Sequence, residues 1–75
     1  MENLTKKQYK TLIGLCTKYD GYFVKAKPKY MPNGLFEHNI TIKLNGIKVA
    51  ELYSDNDGIE VLFGGKFIQE KMEGN

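Results

Sequence analysis

The chain has no arginine: all eleven of its basic residues are lysine. Arginine supplies the planar fork that reads guanine and clamps phosphate, whereas lysine is a hydrated point charge. This absence weighs against a dedicated sequence-reading DNA binder. There is one cysteine, Cys16, so no internal disulfide can form, and one histidine, His38. No Cys/His cluster exists to build a structural zinc site. A long apolar run is missing too, which argues against a membrane-spanning helix and a leader peptide. With a single thiol, the expected location is cytoplasmic, the host cytoplasm if the chain is phage-encoded. There is no glycine-rich phosphate loop, since Gly64-Gly65-Lys66 lacks the rest of a Walker motif. Internal repeats, linkers and low-complexity stretches are also absent.

What remains is 75 residues, expected as one domain over 1–75. A chain this short buries only about 60% of its extended surface, so its margin of stability is thin. Without disulfide or metal, it must rely on good packing or on self-association. The net charge of +2 is modest. Lysine in place of arginine, with many Asn, Ile and Tyr, is similar to the composition of small proteins from low-GC Gram-positive bacteria and their phages.

The first element reads as a helix over about residues 5–19. Thr5-Lys6-Lys7-Gln8 fits the capping box, with Leu4 and Tyr9 in the positions of a hydrophobic staple. Tyr9, Leu12, Ile13, Cys16 and Tyr19 form one apolar stripe at helical spacing. Lys6, Lys7, Lys10 and Lys18 fall off it, and Asp20-Gly21 closes the helix, Gly21 being able to take the left-handed C′ conformation.

Beyond Gly21 the period changes to two. Tyr22 to Tyr30 reads as a strand, and Pro28, without an N–H, marks it as an edge strand or frays its end. Met31-Pro32-Asn33-Gly34 is a turn. Leu35 to Leu44 follows as a strand with Phe36, His38, Ile40, Ile42 and Leu44 on one face and Glu37, Asn39, Thr41 and Lys43 on the other. Asn45-Gly46 is a strong hairpin signal. Ile47 to Tyr53 and Ile59 to Phe63 are further strands, separated by the turn Ser54 to Gly58. Lys66 to Met72 reads equally as a short strand or a helical turn, and Glu73-Gly74-Asn75 as a tail. The expected fold is α+β: an N-terminal helix packed on a four-stranded antiparallel meander.

The order of a helix and then three strands resembles the double-stranded-RNA-binding domain in topology. That family closes with a helix that starts with Lys-Lys and is Ala-rich, and Lys66-Phe67-Ile68-Gln69-Glu70-Lys71-Met72 does not match it. Its function is not carried over.

Candidate chemical sites are few. Ser54-Asp55-Asn56-Asp57-Gly58 hints at a calcium loop. Aligning Gly58 with the invariant glycine puts Tyr53 and Gly64 where the acidic anchors belong, so a hairpin turn is the better reading. Cys16 and His38 are the only candidates for a nucleophile and a base. Cys16 lies on the apolar stripe, where cysteine acts as a small hydrophobe and not as a thiolate. No enzyme, cofactor or metal is expected.

Two surfaces stand out. Lys25, Lys27 and Lys29 alternate along one strand and share a face, with Phe23 at its start and Lys43 on the same side of the neighbouring strand. Such a row is either a phosphate-binding surface or the solvated, aggregation-resistant face of an edge strand; the scarcity of aromatics in line with it favours the latter. Secondly, Ile47 to Tyr53 and Ile59 to Phe63 carry apolar residues on both faces. One helix covers one face, which would leave Ala50, Leu52 and Leu62 on the far side as a self-association or partner surface. The competing reading is that a bulge or the C-terminal segment covers them. Together these features lead to an expected small non-enzymatic protein-binding modulator or inhibitor. It would be of phage or mobile-element origin, aimed at host replication, transcription or defence machinery, with a homodimer allowed. The alternative is a non-specific nucleic-acid binder using the lysine row.

Overall fold

The computed structural model describes residues 3–17, 21–30, 32, 36–55 and 57–73. In order these form β1 (Asn3–Leu4), α1 (Lys6–Thr17), β2 (Tyr22–Tyr30), β3 (Phe36–Leu44), β4 (Ile47–Ser54), β5 (Ile59–Phe63) and α2 (Gly65–Glu73). The sheet is antiparallel, five-stranded, and ordered β1-β5-β4-β3-β2. The fold is α+β, as expected, but with one more strand. Two residues preceding the capping box add an edge to β5 through Asn3↔Glu60 and Leu4↔Ile59. A pair so short carries no alternation for a sequence to show.

Helix α1 starts where its capping box places it. The Thr5 N–H donates to the Gln8 side-chain amide oxygen at 2.9 Å, and the Gln8 N–H donates to Thr5 Oγ1 at 3.1 Å. Two N–H groups that the helix cannot satisfy internally are thereby satisfied. Leu12 and Cys16 are fully buried, and Tyr9 and Ile13 pack against the core beside them. Leu15, outside the expected stripe, is buried as well. The expected last turn at Lys18 to Asp20, most of the Met31 to Leu35 connection, Asn56 and the end of the tail lie outside the described residues. Gly21 has the expected left-handed φ of 92°.

The β3–β4 hairpin turns on Asn45 (φ 52°) and Gly46 (φ 85°), the double-positive turn that matches the twist of the flanking strands. In the β4–β5 turn, Asp55 Oδ1 accepts from the N–H groups of Asp57 at 2.8 Å and Gly58 at 3.1 Å. This carboxylate caps its own turn, in keeping with the hairpin reading.

The segment left open between strand and helix is helical. α2 buries Ile68 and packs Phe67 and Met72 against the core. The Phe67 ring lies 5.9 Å from that of Tyr22. Both helices therefore cover a single face of the sheet, over Ile40, Ile42, Ala50, Leu52, Ile59 and Val61.

This corrects the expectation for Ala50 and Leu52. Both have no exposed surface and belong to the core. Two things put them there. A bulge pairs Lys43 with Lys48 but Ile42 with Ala50, so Val49 is an extra residue that resets the alternation of β4. And a second helix covers the width that one helix could not. A second bulge, pairing Leu52 with Val61 but Glu51 with Phe63, lies at the end of β5.

Gly64 then turns the chain from β5 into α2 with a φ of 78°. A Cβ on this residue would run into the carbonyl oxygen of Val49 and lie 2.9 Å from Ala50 Cα. Only glycine lets the backbone pass this close.

Candidate interaction surface

The face opposite the helices is open. The strand registers arrange its residues in rows across the sheet. One row runs Phe23, Lys43, Lys48. The next runs Lys25, Thr41, Glu51, Phe63, and a third runs Lys27, Asn39, Tyr53, Glu60, Asn3. Lys29 is paired with Glu37 beyond them; its side chain lies outside the described residues. The structure thus puts Phe23, Lys25, Lys27 and Lys43 on one surface, with Lys25, Lys27 and Lys43 exposed and Phe23 59% exposed.

Sequence reasoning did not find Phe63, Lys48 and Tyr53 as members of this surface. Phe63 keeps 50% exposure and has Lys48 Nζ 5.2 Å above its ring. The same ammonium pairs with Glu51 Oε2 at 3.1 Å. Both bulges lie next to this group, and a period-two count carried through them puts residues on the wrong side. Leu62 remains as the exposed member of the trio expected on the far side. At the short outer edge of β5, Leu4, Val61, Leu62, Phe63, Ile68 and Met72 line an apolar groove of about 580 Å³.

Charge is unevenly spread over the open face. The β2–β3 half holds Lys25, Lys27 and Lys43 with the buried Glu37, while the β4–β5 half holds Glu51 and Glu60 with Lys48, and Asp55 and Asp57 lie in the adjoining turn. Tyr53 lies within the acidic part. Its phenol is pushed up to about 12 by a hydrogen bond to Glu37, by desolvation and by the charges of Glu37, Asp55 and Glu60. Glu37 itself is only 7% exposed, and its Oε2 has no hydrogen-bond partner among the described residues.

The candidate chemical residues lie apart from this surface. Cys16 is in the core, where burial pushes its thiol up while the charge of Lys71 acts to lower it. A thiol held protonated is a poor nucleophile. His38 is half-buried on the helix-covered side of β3, paired with Pro28 and Ser54. Among the described residues no group of three or more His, Cys, Asp and Glu side chains could hold a metal ion, and no helix is long and apolar enough to cross a membrane.

Neither a protein-family model, nor a curated protein, nor a solved structure matches this chain.

Proposed function

We propose that the chain is a small, non-enzymatic protein-binding modulator and that the open sheet face is its recognition surface. The supporting observation is the joint exposure of Phe23 and Phe63 on the sheet face opposite the two helices. Large apolar side chains gathered with cations on an uncovered face have the make-up of a contact surface: aromatic anchors with a charged surround. The basic β2–β3 half favours an acidic partner. The lysine-only composition is what favours a phage or mobile-element origin and a host target.

The test is a nuclease-treated pull-down with the tagged chain, repeated with Phe23→Ala/Phe63→Ala. A stoichiometric protein captured by the parent chain and lost by the variant supports the reading. A chain that is monomeric and captures no protein overturns it.

A second reading is favoured by one observation: the lysine row runs beside Phe23, and Phe63 lies on the same face. Single-stranded nucleic acid binds to cations with aromatics. Three phosphate contacts from Lys25, Lys27 and Lys29 give a log–log salt slope of about −2 to −3. Replacement of all three by glutamine must weaken nucleic-acid binding, and unchanged affinity removes this reading.

A further inference from the structure

We propose that the outer edge of β2 is a strand-addition site for an extended protein segment with Asp or Glu at alternate positions and apolar residues between them. The proposal rests on the protein-binding reading and gives it a geometry.

β2 is a terminal strand of the sheet, nine residues long. The phase of its hydrogen bonds follows from one contact. The Asn45 N–H donates to the Gly21 carbonyl at 2.8 Å, which makes Gly21 and Asn45 a hydrogen-bonded pair in line with the β2–β3 register. Antiparallel pairs alternate between hydrogen-bonded and non-bonded. Phe23, Lys25 and Lys27 therefore direct their backbone groups inward to β3. Tyr22, Val24, Ala26 and Pro28 direct theirs outward. Pro28 stands in the outward phase, where its missing N–H costs the β2–β3 ladder nothing. The outer edge thus offers N–H and C=O at Tyr22, Val24 and Ala26, and Pro28 interrupts the row of donors.

Side chains set the partner. A residue added opposite Lys25 or Lys27 shares the open face, next to an exposed ammonium. A residue added opposite Val24 or Ala26 shares the helix-covered side, next to half-buried Val24. Acidic and apolar residues in alternation satisfy both. A second copy docking through its own β2 would instead bring lysine rows side by side, which disfavours homodimers at this edge.

The probe is a synthetic peptide alternating glutamate and valine, compared with its lysine–valine counterpart and with a glutamate–valine peptide N-methylated on the backbone. Affinity is read by fluorescence anisotropy, and the site by hydrogen exchange at the Val24 and Ala26 amides. The expected result is that the glutamate peptide binds and slows exchange at both amides, and that the methylated and lysine peptides bind at least tenfold more weakly. Lys25→Glu/Lys27→Glu should weaken the glutamate peptide by roughly tenfold or more, the size of two cross-strand charge pairs reversed. The parent protein alone keeps the test decisive if that variant does not fold. Failure of the glutamate peptide to bind overturns the proposal. So does binding that leaves Val24 and Ala26 unprotected, or protection of those amides by self-association or by an oligonucleotide. A protein captured through Phe23 and Phe63 with the β2 amides still exchanging freely overturns strand addition while leaving the open-face reading standing.

Discussion

Ile40, Ile42, Ala50 and Leu52 are at most 2% exposed on the covered side of the sheet, whereas Phe23 and Phe63 keep 59% and 50% on the other side of the same four-strand span. The two faces share a backbone and differ only in which side chains the pleat sends each way. One face has been given two helices and holds the chain folded. The other has been given lysines, aromatics and carboxylates, most of which face solvent. Residues free of structural duty are the ones available for recognition.

The sharpest way to break this comparison is to truncate one large side chain on each face. Leu52→Ala should cost about 2–5 kcal/mol, because it opens a cavity under both helices. Phe23→Ala should stay within about 0.5 kcal/mol. Urea denaturation of both variants reads the difference, and equal losses would mean that the open face is covered. Next in size is Gly64→Ala, at the point where the chain passes from the sheet to α2. Its φ of 78° and its contact with the Val49 carbonyl make the substitution cost roughly 1–3 kcal/mol. Hydrogen exchange should show α2 loosening before the β3–β4 hairpin does. Thr5→Ala removes one half of the capping box and should cost about 1 kcal/mol, again by urea midpoint, with Thr5→Ser restoring most of it.

The smallest effect belongs to the open face and is one of pH. Tyr53 is held at about 12 against an ordinary 10.0, so its neutral form is favoured in the folded chain. That contribution is fully present below pH 10 and is lost as pH rises towards 12. Tyr53→Phe should flatten the alkaline fall in stability over this window. Tyr9 and Cys16, both raised by burial, act in the same direction and remain in the variant. An unchanged profile would mean that the Glu37 contact is not formed.

Much of the fold is legible in local chemistry. Thr5 and Gln8, Asn45 and Gly46, and the alternation through β3 each carry a signal that short-range physics turns into one structure. What was hidden has a common cause in non-local packing. Val49 can be recognised as a bulge residue only once Lys43 and Ile42 are known to pair on either side of it. The nine residues of α2 carry too short a period to be told from a strand until the Tyr22 ring is there to meet Phe67. The candidate surface suffered most, since a misplaced bulge moves Ala50 and Leu52 across the sheet and leaves Phe63 unnoticed beside Lys48.

The pairing of Asn3 and Leu4 with Glu60 and Ile59 also orders events during synthesis. β2, β3, β4 and β5 are consecutive neighbours, so each hairpin can close soon after its second strand leaves the ribosome. β1 has no such neighbour. Asn3 and Leu4 must wait until Ile59 and Glu60 have been made before their strand exists, and that strand tie to the residue before α1 forms only then. Of the described strands, the one that comes first in sequence is the last to be completed.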